Sequence, residues 1–133
     1  MSRENERPEL LIVTELGGYP DFSDLYTAAG FACRQIHTVR KAIRELKKCR
    51  PAVVVAEFNY QSDFRDRTSS LESLMAVLQK MPDTRVIIFH DPEFAHQLQR
   101  FTDRFPECIT LPFPIDPQRL RQTVAHIAGT GSD

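Results

Sequence analysis

The apolar positions of this chain fall into two kinds of block, and their alternation predicts its elements. Residues 10–13 (Leu-Leu-Ile-Val), 52–56 (Ala-Val-Val-Val-Ala) and 86–89 (Val-Ile-Ile-Phe) are continuous apolar runs, the pattern of strands buried on both faces of a parallel sheet. Residues 31–36 and 108–111 read as two further strands. Between them, apolar residues recur at helical spacing. The sets are Phe22, Leu25, Tyr26 and Ala29; Val39, Ala42, Ile43 and Leu46; Leu71, Leu74, Met75 and Leu78; Phe94, Leu98, Phe101 and Phe105; and Leu120, Val124 and Ile127.

Local signals set the boundaries. Asp21 or Ser23 is suited to cap the first helix and Gly30 to end it, Pro51 forbids extension of the second, and the third stops near Pro82. Asp116-Pro117 opens the last helix with proline in its first turn. Five strands alternating with five helices predict an α/β doubly wound parallel sheet, a three-layer sandwich with helices on both faces. The expected organisation is a flexible segment over 1–9, one domain over 10–128 and a polar tail over 129–133. A polar loop is expected over 58–70, carrying Tyr60 and Phe64.

In such sheets the ligand crevice lies at the carboxyl ends of the strands. The residues just after each strand are Thr14, Glu15, Glu57, His90, Asp91, Leu111 and Pro112. At these positions the chain resembles the receiver domains of two-component response regulators over about residues 10–127. The resemblance rests on Gly30-Phe31, on Arg50-Pro51 leading through the apolar strand to Glu57, on Leu111-Pro112-Phe113 where the family has Lys-Pro-Phe, and on Asp116-Pro-Gln-Arg-Leu120. It implies a flavodoxin-like fold and a phosphorelay site: an Asp acceptor after the third strand, Mg²⁺ on two acids after the first, a hydroxyl after the fourth and a Lys after the fifth. This chain departs from the family at those positions, with Thr14-Glu15 for the acids, Glu57 for the acceptor, His90 for the hydroxyl and Leu111 for the Lys. Pro112 remains, with the cis form the resemblance implies.

An aliphatic side chain makes no charge-assisted bond to a phosphoryl group, and Glu moves a carboxylate outward by about one C–C bond where about 1 Å matters. Glu15 and Glu57 are weak candidates for Mg²⁺, which takes near-octahedral oxygens, so no cofactor is expected. The reading is a degenerate receiver, not an enzyme, that acts by contact with a signalling protein. Its expected interaction face carries Phe94, Phe101, Phe105 and Phe113 and suits a homodimer. The alternatives are a divergent phosphoacceptor using Glu57 or Asp91 with Mg²⁺, and a small-ligand or nucleotide binder in the same crevice.

Composition narrows the classes. Over 133 residues, 17 Lys+Arg face 18 Asp+Glu, so a nucleic-acid coat is not expected, although residues 34–50 hold seven cations against Glu45 alone. No apolar run approaches the ~20 residues that span a bilayer, and the start lacks a hydrophobic signal core; the expected location is cytoplasmic. Cys33, Cys49 and Cys108 lack a CxxC pair, and His37, His90, His96 and His126 lack metal-site spacing. Gly17-Gly18 falls short of a phosphate-binding motif.

Overall fold

The computed structural model describes residues 8–14, 19–58 and 66–131. Its elements are β1 (Glu9–Val13), α1 (Ser23–Ala28), β2 (Ala32–Ile36), α2 (Val39–Leu46), β3 (Val53–Phe58), α3 (Asp66–Leu78), β4 (Arg85–His90), α4 (Ala95–Arg104), β5 (Ile109–Pro112) and α5 (Pro117–Gly131). The five strands are all parallel in the order β2-β1-β3-β4-β5. This is the flavodoxin-like doubly wound sheet that the alternating pattern predicts.

Strand alternation sorts the core into two layers. Leu11, Val13, Val54, Ala56, Phe58, Val86 and Ile88 face α2, α3 and α4. Leu10, Val53, Val55, Ile87, Phe89 and Leu111 face α1 and α5, where Tyr26, Leu120, Val124 and Ile127 close the layer. β3 lies in the middle of the sheet, and all six of its residues are buried.

Side-chain caps fix several helix starts. The Thr38 hydroxyl accepts from the Lys41 N–H at 3.0 Å, and the Asp116 carboxylate accepts from the Gln118 N–H at 3.0 Å. Asp21 accepts from the Ser23 N–H at 2.9 Å, so it holds the entry to α1 from one residue before the boundary, Phe22. Gly30 ends that turn with φ +104°, a backbone conformation that side-chain-bearing residues adopt only with strain.

Several boundaries differ from the sequence reading. β1 takes in Glu9, because Pro8 and Glu9 carbonyls accept from Ala32 and Ala52 at 2.9 and 2.8 Å. β3 runs past Glu57 to Phe58, because Phe58 still pairs with His90 on β4, which therefore belongs to its strand too. α3 begins at Asp66 inside the expected loop, and residues 59–65, with Tyr60 and Phe64, lie outside the described residues. α5 continues to Gly131 through the start of the expected polar tail, since glycine weakens a helix by only about 1 kcal/mol.

The expected aromatic interaction face is also corrected. Phe101 is 2% exposed and Phe105 5%, and both belong to the core. The Phe101 ring stands 5.7 Å from Phe58 and 5.0 Å from Phe105. Their place on the inward stripe of α4 commits them to packing. Phe94 is half-buried against the same layer, and Phe113 is the exposed member at 41%.

This division predicts two different outcomes for truncation. Phe101→Ala should cost roughly 3–5 kcal/mol of unfolding free energy in urea denaturation, the range for large aromatic core deletions. Phe113→Ala should cost less, about 1–2 kcal/mol, since about two fifths of its surface stays in water.

Candidate functional site

The carboxyl ends of β1, β3 and β4 meet at a small cleft of about 70 Å³. Its walls include Thr14, Asp21, Tyr26, Gln35 and Glu57, and Tyr19, Phe22 and Phe89 stand over it. Glu57, at the penultimate position of β3, pairs in register with Phe89 and is 9% exposed. It continues the Val53, Val55 side of the strand, toward α1 and α5.

Aromatic rings dominate the cleft mouth. Tyr19 packs 5.4 Å from Phe89 and meets Phe113 edge-on at 5.6 Å, and Phe22 meets Phe89 edge-on at 6.1 Å. These offset and edge contacts are the geometries that aromatic quadrupoles favour. The backbone supports the arrangement: the Phe113 N–H donates to the His90 carbonyl at 2.8 Å, which ties the chain leaving β5 to the end of β4. The Tyr19 phenol is pushed up to about 12 by burial, with the carboxylates of Glu57 and Asp91 adding to the effect.

The other residues expected at the crevice are dispersed. Thr14 lines the cleft, its N–H donating to the Ile36 carbonyl at 2.9 Å and its hydroxyl accepting from Gln35 at 3.4 Å. Glu15 lies outside the described residues. Asp91 is exposed, and its carboxylate accepts from the Glu93 N–H at 2.9 Å, so it caps the 3₁₀ turn Pro92–Phe94 that leads into α4. His90 falls on the Val86, Ile88 side of β4, the opposite face from Glu57. It is 8% exposed, and burial lowers its pKa against the opposing influence of a hydrogen bond with the Asp91 backbone and of the Asp91 charge.

Leu111 and Pro112 correct the expected site. Leu111 is 3% exposed and packs in the layer under α5, so it is a core residue that does not reach the cleft. Pro112 ends β5 opposite His90, and the cis peptide bond is Phe113–Pro114 rather than the bond before Pro112. The chain leaving β5 therefore sets Phe113, and not Leu111, against Tyr19 of the cleft wall.

Tyr19 was absent from the sequence-based candidates because only the residues immediately following each strand were considered. Its signal was an aromatic placed before Pro20 in the loop after β1, a loop that must border the crevice of a parallel sheet. Among the described residues no group of three His, Cys, Asp or Glu side chains converges at one point. Mg²⁺ requires a near-octahedral shell of oxygens. Among the described residues the cleft offers the carboxylates of Glu57 and Asp21 and the Thr14 hydroxyl; Asp21 accepts from the Ser23 N–H and Asp91 from the Glu93 N–H, each at 2.9 Å, so both are turned to capping bonds.

The fold is shared with solved receiver structures. A response regulator receiver protein from Sinorhizobium medicae is 19% identical with a TM-score of 0.70, the match covering 96% of this chain and 98% of that one. The signal receiver domain of an HD domain-containing protein from Pseudomonas fluorescens is 15% identical with a TM-score of 0.70 and coverage of 95% and 98%. A chemotaxis protein from Vibrio cholerae is 17% identical with a TM-score of 0.68 and coverage of 91% and 98%. No family model and no curated protein sequence matches the chain. At these identities the likeness establishes the fold.

Two titrations follow from the site. A phenol whose folded pKa lies above its unfolded value of 10 contributes stability that is complete below pH 10 and lost as pH rises toward about 12. Urea denaturation from pH 8 to 11.5 should show a loss in the parent chain that is smaller in Tyr19→Phe. His90 has the opposite sense, since its folded pKa lies below the ordinary 6.5. Its contribution is present above pH 6.5 and lost as pH falls below that value, so the same measurement from pH 7.5 to 5 should show a shallower decline in His90→Gln.

Proposed function

We propose that this chain is a regulatory module on the receiver fold that works by contact with a signalling protein and without conventional aspartyl phosphorylation. The observation that carries the reading is the ring of Phe113, which follows β5 and meets Tyr19 of the cleft wall edge-on at 5.6 Å. In the receiver resemblance the chain leaving β5 brings a Lys to this place; we assign that place to Phe113 instead of Leu111, which packs inside the domain. A phenyl ring supplies no cation for an incoming phosphoryl oxygen, and transition-state charge in phosphoryl transfer demands one.

Three further features support it. Glu57 carries its carboxylate one methylene farther than Asp would, in a chemistry where about 1 Å changes the rate by orders of magnitude. Among the described residues the oxygens beside it are those of Asp21 and Thr14, fewer than a near-octahedral Mg²⁺ shell takes. The cleft, at about 70 Å³, is well short of the ~300 Å³ at which small-molecule sites begin, so a nucleotide is a poor fit. A carboxylate already fixed at the end of β3 gives the domain a constant charge where receivers acquire one.

Contact with a protein leaves the faces of the sandwich as the working surface. Among the described residues no helix is long and apolar enough to cross a membrane. On the expected dimer face Phe113 is the large apolar side chain that stays exposed, so any self-association there rests on a smaller patch than the sequence suggested.

Incubation of the purified chain with radiolabelled acetyl phosphate and Mg²⁺ tests the reading. The expected result is no stable incorporation, and no change in the Tyr19 environment by aromatic NMR on adding beryllofluoride. Stoichiometric labelling lost in Glu57→Gln would overturn it.

A further inference from the structure

The outer face of α2 carries charge of one sign. Arg40, Lys41, Arg44, Lys47 and Lys48 are all exposed, while Val39, Ala42 and Leu46 are buried on the other side. The helical turn continues past Leu46, since the Lys47, Lys48 and Cys49 N–H groups donate to Arg44 and Glu45 carbonyls at 2.9–3.3 Å. At 100° per residue the five cations fall within an arc of about 120°, and they extend over roughly 12 Å at 1.5 Å per residue. None has a carboxylate within ion-pairing distance among the described residues. The one acid of the helix, Glu45, lies outside the arc and is engaged by Arg34 at 2.6 Å.

Helix stability does not account for this stripe. Arg40 and Lys41 occupy the first turn, where the helix dipole favours acids, and that turn contains none. Arg44 stands three or four residues from each of Arg40, Lys41, Lys47 and Lys48, spacings at which like charges repel. The dipole favours Arg44, Lys47 and Lys48 at the C-terminal end but not Arg40 and Lys41, and the crowding of one sign around Arg44 opposes the stripe as a whole.

We propose that the α2 stripe is a docking surface for an acidic protein segment about two helical turns long. This goes beyond the phosphate-independent reading of the cleft and holds whichever way Glu57 behaves, because α2 packs on the Val54, Ala56 layer and Glu57 continues the opposite, Val53, Val55 side. Charge complementarity selects the sign of the partner, and the rest of the chain selects its class. With a net charge of −1 overall, the surface beyond residues 34–50 is acidic and repels a polyanion longer than the stripe. No exposed aromatic residue lies within 38–48 on which a base would stack. A short acidic peptide, matched to the length of the stripe, meets neither obstacle.

The probe is a synthetic Glu/Asp-rich octapeptide titrated into the full chain, followed by backbone amide NMR and calorimetry at 50 and 300 mM NaCl. Shifts should concentrate in residues 38–49, and affinity should fall about tenfold or more at the higher salt. Arg40→Glu/Arg44→Glu/Lys48→Glu should abolish binding while the chain stays folded, because an acid in the first turn suits the helix; thermal unfolding checks this. Arg100→Glu/Arg119→Glu/Arg121→Glu, the same charge change on α4 and α5, should retain at least half of the binding. Absence of binding at 50 mM salt, shifts elsewhere, equal losses in both triple variants, or tighter binding of a 20-base-pair DNA duplex to the stripe would each overturn the proposal. Phosphate labelling of Glu57 bears only on the cleft, so the two readings fail separately.

Discussion

Burial of β3 on both faces is the constraint from which the remaining features follow. A strand with six buried residues and parallel neighbours on either side satisfies its backbone in the ladder and presents no polar side chain except at its end. Helices must then cover both faces, which separates α1 and α5 from α2, α3 and α4. The same constraint confines charge chemistry to Glu57, and alternation decides which way that carboxylate points. His90, a register neighbour of Phe58, is carried to the opposite layer. Two residues that look adjacent at strand ends are thereby assigned different surroundings.

The element pattern was legible because its signals were redundant. Continuous apolar runs, helical stripes and Gly or Pro stops agreed over all five strands and the inward faces of all five helices. Boundaries were less so. Glu57 and His90 are polar, and polarity at a strand end looks like a loop, yet the ladder persists through both. The start of α3 was hidden because residues 66–70 are polar, and polar sequence does not by itself exclude a helical first turn.

The candidate site was legible in part, for a physical reason. The alignment of Leu111 with a functional lysine used order along the chain, but a parallel strand in a sandwich buries alternate residues, and Leu111 falls on an inward position. Only the three-dimensional course after β5 brings Phe113 to Tyr19. Phe101 and Phe105 illustrate the same limit: a helical stripe of rings is equally consistent with core or interface, and the distances to Phe58 decide for the core.

One feature at the far side of the domain bears on how α4 is held. Arg104, in the last turn of α4, donates to Glu72 of α3 at 2.9 Å, while its guanidinium lies 5.3 Å from the Phe105 ring centroid. Both groups are partly solvated, so the pair is worth little as stability. Its geometry matters more, since it joins the trailing end of α4 to α3, while at the leading end Asp91 caps the entering turn and Phe94 packs against the core, so the helix is anchored to the domain at both ends.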